Sequence, residues 1–165
     1  MSKRLKRMTA FYFKEQPADR PIGKNQKQDM IKQTTEPWEC HWRWDGVYKK
    51  LWVPKGYVYD GASVPRPVWT IVGLRPDGLI RAASLGHDAP FRAEGGLKDW
   101  GGCTLTGIEG DAMFMCYDEA NDLFYYAMRF AKMYRHRARI GYTAVQTFGR
   151  KHWGGPMPSL NKKSG

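Results

Sequence analysis

Trp38-Glu39-Cys40-His41-Trp42-Arg43-Trp44-Asp45-Gly46-Val47-Tyr48-Lys49-Lys50-Leu51-Trp52-Val53 is the stretch on which the fold turns. Trp38, Cys40, Trp42 and Trp44 alternate with Glu39, His41, Arg43 and Asp45. That period of two belongs to a strand with one buried and one wet face. Asp45-Gly46 supplies a hairpin turn of type I′, whose two central residues both need positive φ. Val47 to Val53 returns as the partner strand, and Pro54-Lys55-Gly56 makes a second turn into Tyr57-Val58-Tyr59. An antiparallel β-meander over residues 38–59 is the expectation.

Beyond it the pattern becomes helical. Asp60 to Pro67 is too rich in Gly and Pro for a regular element. Asp77 reads as the N-cap of a first helix over residues 78–88, with Leu79, Ala82, Ala83 and Gly86 on one face and Pro90 as its stop. Residues 92–105 form a glycine-rich loop. Thr106-x-x-Glu109 reads as a capping box that opens a long helix over residues 107–134. Met113, Tyr117, Ala120, Phe124, Ala127 and Ala131 recur along it at spacings of four and three, one apolar stripe. A last helix over residues 139–151 carries Tyr142, Val145 and Phe148 inward. Residues 1–35 read as a basic, weakly ordered arm in which Phe11-Tyr12-Phe13 could form a short strand, and residues 154–165 as a loose basic tail. The fold class expected is α+β: one domain over residues 36–153, a small antiparallel meander followed by three helices.

Composition bounds the function. A chain of 165 residues suits one domain, and 42% hydrophobic with 14% aromatic residues excludes wholesale disorder. No run approaches the roughly 20 apolar residues that span a bilayer, and the apolar run behind the basic N-terminus stops at Phe13, short for a secretory leader. Three cysteines (Cys40, Cys103, Cys116) without a C-x-x-C pair argue against a zinc ribbon or a disulfide framework, and read as free, mostly buried thiols. The net charge of +11 is uneven: five acids and no base lie in residues 109–122, nine bases and no acid in residues 123–165. Such a cationic end attracts nucleic acid, anionic cell wall polymers or acidic protein faces, and Arg129, Arg135, Arg137 and Arg139 are its candidate contacts.

Four polar residues stand at the ends of expected elements: Asp60, His87, Asp88 and Asp111. An adjacent His-Asp pair offers an imidazole nitrogen and a carboxylate oxygen to one divalent metal, so His87, Asp88 and Asp111 form a candidate metal set with Asp60 beside it. A metal held there lowers the pKa of bound water; without one, His87 oriented by Asp88 or Asp111 would serve as a general base. Structural readings stand next to these: Asp111 as an acid at a helix N-terminus, Asp60 as an Asx turn, His87 as a hydrogen-bonded histidine closing its helix. Ser63 sits in Gly61-Ala62-Ser63-Val64-Pro65, which lacks the G-x-S-x-G elbow, and the prolines prevent the immediate helix that motif needs. His41, His136 and His152 read as solvated.

The order Asp60-x-Ala62-Ser63-Val64-Pro65, then Arg81 and His87-Asp88, then Asp111, then Tyr142-x-Ala144-Val145-x-x-Phe148-Gly149 resembles a family of small phage and prophage proteins of unknown function. The resemblance covers residues 38–153. Phe91 stands where that family usually has tyrosine, Ala93–Cys103 looks like an insertion, and Gly107 to Gly110 lack the arginine expected before the downstream aspartate. A looser likeness is to the histidine-aspartate metal phosphohydrolases, which need an upstream histidine on a helix, whereas His41 lies on an expected strand. The leading expectation is a phage-encoded, hydrolase-like protein with Asp60, Ser63, His87, Asp88 and Asp111 at its site, acting on an anionic cell wall or nucleotide phosphoester. The rivals are a tail or head accessory protein, with these residues as a buried polar network and its basic ends on DNA or other virion proteins, and a small adaptor or inhibitor of a host protein. The expected location is the host cytoplasm, with packaging in the virion as the alternative.

Overall fold

A computed structural model of the chain describes residues 7–25, 29–60 and 80–155. The Trp38 stretch folds as its alternation demands. β4 (Trp38–Trp44) and β5 (Val47–Val53) pair in antiparallel register from Trp38 opposite Val53 to Trp44 opposite Val47. Trp38, Cys40, Trp42 and Trp44 are buried, and Glu39 and Arg43 are exposed. Asp45 and Gly46 both take positive φ, 49° and 82°, as a type I′ turn requires.

The α+β class holds, with most strands preceding the helices and one, Thr104–Thr106, lying between two of them, but the strands belong to two sheets. β1 (Met8–Tyr12), β4, β5 and β7 (Thr104–Thr106) make a four-stranded antiparallel sheet in that spatial order. β2 (Asp19–Lys24), β3 (Met30–Thr34) and β6 (Val58–Tyr59) make a second, three-stranded sheet. Two expectations are corrected here. Residues 8–34, read as a weakly ordered arm, contribute three strands; their polar, proline-containing sequence forms strands whose order comes from pairing rather than from their own propensity. The third strand of the meander leaves β5 and pairs with β3 instead, Tyr59 opposite Lys32.

The helices are shifted from their expected bounds. α1 (Arg81–Arg92) runs through Pro90 instead of stopping at it. Pro90 gives up one backbone bond, yet Ala89, Pro90 and Phe91 are all buried against the core, which holds the helix on course. Asp77, its expected cap, lies outside the described residues. The expected capping box is corrected as well: Thr106 ends β7, Lys50 is its cross-strand partner, and the chain turns back so that Gly107 N–H donates to the Asp111 carbonyl. α2 (Tyr117–Phe130) therefore starts ten residues later than the sequence suggests, with Asp118 and Glu119 in its first turn, where the helix dipole favours acids. It ends before a break in which Lys132 takes φ 65°. α3 (Arg135–Phe148) follows, then a 3-10 turn at Arg150–His152.

The core lies between the indole face of β4 and α2, with α1 and α3 packed on α2. Of the expected stripe, Ala120, Phe124 and Ala127 are fully buried, whereas Met113 falls in the preceding loop. Gly86 is where α1 meets α2: a Cβ there would stand 2.7 Å from a Leu123 methyl. Tyr142 and Val145 face inward as expected, but Phe148 is 57% exposed. Cys40 and Cys103 are buried thiols and Cys116 is exposed. Among the described residues no helix is long and apolar enough to cross a membrane.

Candidate functional site

Asp60 follows β6, and Asp88 and Arg92 lie one turn apart on α1, so the strand end and the helix meet across the Arg92 guanidinium. Its Nη2 lies 2.9 Å from Asp60 Oδ1 and 3.4 Å from Asp88 Oδ2, and its Nη1 donates to the Val58 carbonyl at 3.0 Å. The side chains of Asp60, Asp88 and Arg92 are 5%, 1% and 10% exposed. Burial opposes the charge on Arg92, but Asp88, Tyr57 and Asp60 outweigh it and hold the guanidinium above its ordinary pKa. The network continues into the second sheet. Asn25 Nδ2 donates to Asp60 Oδ2 at 3.2 Å, the Tyr59 hydroxyl donates to Asp19, and Lys32 lies 3.8 Å from Asp19. The structure thus brings together Asp60 and Asp88 of the expected set, around an arginine that the sequence pattern did not single out.

His87 and Asp88, adjacent in sequence, point to different neighbours. The His87 imidazole is wholly buried, with Nε2 2.9 Å from Asn121 Oδ1 on α2, and it packs on Phe91 and Phe124 with ring centroids 3.9 and 5.1 Å away. Burial is the main cause that pulls its pKa from 6.5 down to about 4, against the Asn121 bond, so it is neutral at pH 7. Asp111 sits elsewhere: it is exposed, in the turn after β7, with its carboxylate against Gly107. Among the described residues no three His, Cys, Asp or Glu side chains gather in a way that could hold a metal ion. What lies between Asp60 and Asp88 is a guanidinium. Ser63 lies outside the described residues.

The neutral His87 has a measurable consequence. An unfolded imidazole takes its proton near pH 6.5 and the folded one only near pH 4, so between these values the unfolded state binds more protons. His87 therefore contributes fully above pH 6.5, and its contribution is lost as the pH falls toward 4. The loss amounts to about 3 kcal/mol, since each tenfold change in proton affinity is worth about 1.4 kcal/mol. Urea midpoints measured across this window should fall more steeply for the native chain than for His87→Gln; equal slopes would show that His87 does not set the acid limb.

Register exposes a second polar cluster that the sequence pattern did not reveal. Lys49 stands opposite Trp42, on the core side of the hairpin. Its side chain is only 8% exposed, and Nζ donates to Glu119 Oε2 at 2.8 Å and to the Phe114 carbonyl at 2.7 Å. Glu119 Oε1 accepts from the Trp42 indole at 2.9 Å. Burial pushes the Glu119 carboxyl up, against the Lys49 and Trp42 bonds that pull it down. The signal was present: in a two-residue hairpin closed at Asp45-Gly46, Lys49 shares a face with Leu51 and Val53, and a lysine there requires a buried carboxylate. Asp122 was missed likewise; it is buried on α2 and accepts from the Tyr142 hydroxyl at 2.8 Å.

Of the candidate polyanion contacts, Arg135, Arg137 and Arg139 are exposed on α3. Ala138, Gly141, Tyr142 and Val145 fill its opposite, buried arc. Arg129 is exposed too, but its Nη1 donates to the Met133 carbonyl at 2.6 Å and secures the turn between α2 and α3. His136 is exposed beside Tyr134, His41 bonds the Tyr48 hydroxyl at 2.6 Å, and His152 is half-buried.

A family model described as "Protein of unknown function (DUF1353)" matches residues 34–145. Neither a curated protein nor a solved structure matches the chain.

Proposed function

The chain belongs to the DUF1353 family, whose function is unknown; on the resemblance of its motif order to small phage proteins we propose that it is a non-catalytic accessory protein of a phage particle or its assembly, which contacts double-stranded nucleic acid through α3. The observation that carries this reading is the exposed arc of α3, where Arg135 and Arg139, one turn apart, share one side and Arg137 stands across the arc from them, in a stretch with no acid from residue 123 onward. Phosphate neutralisation by such a pair is independent of base sequence and strongly dependent on salt. The Asp60–Arg92–Asp88 network supports the reading from the other side, because a guanidinium buried between two carboxylates suits locking β6 onto α1. The hydrolytic alternative draws no support from His87, whose imidazole is buried, neutral and committed to Asn121.

Fluorescence anisotropy with a short labelled duplex tests the proposal. Two phosphate contacts, from Arg135 and Arg139, predict that log K falls against log salt with a slope of about −2. The triple variant Arg135→Ala/Arg137→Ala/Arg139→Ala should lose at least about tenfold in affinity and most of that slope. A native chain that ignores the duplex at low salt, or a triple variant that binds as well as the native chain, would refute it.

A further inference from the structure

The outward face of the β4–β5 hairpin carries more aromatic surface than a wet strand face requires. The solvent side of an antiparallel sheet is ordinarily polar, yet the outward positions of β5 are Tyr48, Lys50 and Trp52, all partly exposed. Register sets each of them in a row across the sheet. Tyr48 stands opposite Arg43, and Trp52 lies between Glu39 and Thr104. Lys50 lies between His41 and Thr106, with Tyr12 of β1 on the far side of His41. Arg43 is exposed, and Tyr12 is 50% exposed. Among the described residues the helices lie on the opposite, indole side, and no other element is packed on this one.

The face is ordered, and two of its polar groups are open to a ligand. His41 Nδ1 lies 2.6 Å from the Tyr48 hydroxyl, and His41 Nε2 lies 3.1 Å from Glu39, the one carboxylate at these outward strand positions. The hydroxyl thus reaches a diagonal neighbour, two residues from the cross-strand partner Arg43, which draws the Tyr48 ring along the sheet. The rings of Tyr12, His41 and Tyr48 follow one another at 6.3 and 5.9 Å between centroids. Among the described residues neither the Lys50 ammonium nor the Trp52 indole N–H has a hydrogen-bond partner.

Side chains two residues apart on a strand are about 7 Å apart, so Lys50 places a cation between the aromatic groups of Tyr48 and Trp52. That alternation fits a chain whose repeating unit carries one flat base and one phosphate. Arg43 adds a second cation beside Tyr48, against Glu39 alone, so the face complements a polyanion. A neutral chain would leave both cations unmatched. A duplex keeps its bases stacked on each other and shows only their edges in its grooves, whereas an unpaired base can lie on an aromatic ring.

We propose that the outward face of β4 and β5 binds single-stranded nucleic acid, with bases stacked on Tyr48 and Trp52 and phosphates neutralised by Lys50 and Arg43. The site is separate from the α3 face and does not rest on the duplex reading.

Fluorescence anisotropy of the full chain with labelled oligothymidylate and oligouridylate of about twelve units tests it, beside an abasic deoxyribose-phosphate chain of the same length and charge. At least one base-bearing strand should bind with a Kd of about 1–100 µM, at least about tenfold tighter than the abasic chain; a preference between the two tells DNA from RNA. Two phosphate contacts on a single strand predict a slope of log K against log salt of about −1.4. Trp52→Thr keeps a strand-forming residue in place and should weaken binding by at least about fivefold through lost stacking. Lys50→Glu, at a position that no side-chain hydrogen bond ties to the fold, should weaken it as much through charge. Trp52→Thr should leave duplex binding through α3 unchanged, so the two readings fail separately. The proposal is overturned if the abasic chain binds as tightly as both base-bearing strands, if no single strand binds at up to about 1 mM, or if both variants bind as the native chain does.

Discussion

Arg92→Leu is expected to lower stability by about 3–5 kcal/mol, the usual cost of removing one partner from a buried ion pair. The guanidinium serves Asp60 and Asp88 together and also donates to the Val58 carbonyl. Leucine fills part of the volume and none of the bonds, so two buried carboxylates lose the cation they share. Arg92→Lys should recover only a fraction, since an ammonium cannot span both carboxylates with a planar fork. Urea denaturation followed by tryptophan fluorescence measures the difference. Asp88→Asn removes one charge but keeps a polar group of the same shape, and should cost less, about 1–3 kcal/mol. An Arg92→Leu chain as stable as the native one would mean that the network does not hold β6 to α1, and the support it lends to the non-catalytic reading would go with it.

Lys49→Met should be comparably severe, again about 3–5 kcal/mol, because Glu119 would keep its place in the core without its cation. A direct check is the double variant Lys49→Met/Glu119→Gln. A neutral amide still accepts from the Trp42 indole and carries no charge to desolvate, so the double variant should be more stable than Lys49→Met alone. The pH dependence of the single variant has a definite sign. Burial already raises the Glu119 pKa, and removal of Lys49 raises it further, so the folded state binds a proton more tightly than the unfolded one. The deficit of Lys49→Met therefore shrinks as the pH is lowered through the range in which Glu119 takes its proton. A deficit that stays constant across pH, or a double variant no better than the single one, would show that charge burial is not the cause.

These two clusters differ in how far they could be seen from the chain alone. Lys49 was legible: the turn at Asp45-Gly46 sets the register, the register sets the face, and the face is that of Leu51 and Val53. Its partner Glu119 was not, since Lys49 and Glu119 are 70 residues apart and nothing local to either specifies the other. Asp60 and Asp88 were both singled out from their positions at element ends, but for a shared metal; the structure places Arg92 between them. His87 and Asp88 illustrate the same limit. On a helix, consecutive side chains are about 100° apart, so adjacency in sequence works against a shared site unless the backbone bends.

Local chemistry, then, determined the β4–β5 hairpin and the inward tryptophans, because alternation and a glycine turn act over a few residues. It also determined the α+β order and the acid-then-base charge pattern that leaves α3 cationic. Only tertiary structure decided the rest. The N-terminal strands gain order by pairing, and Pro90 stays helical because its neighbours are buried. Thr106 joins β7 rather than capping a helix, since Lys50, Leu51 and Trp52 present an open edge to residues 104–106. The break at Lys132 carries no glycine or proline to announce it. In each case tertiary packing outweighs a local preference, about 1 kcal/mol or less for the strands and about 3 kcal/mol for a proline inside a helix, and that comparison cannot be made until the partners from distant parts of the chain are in place.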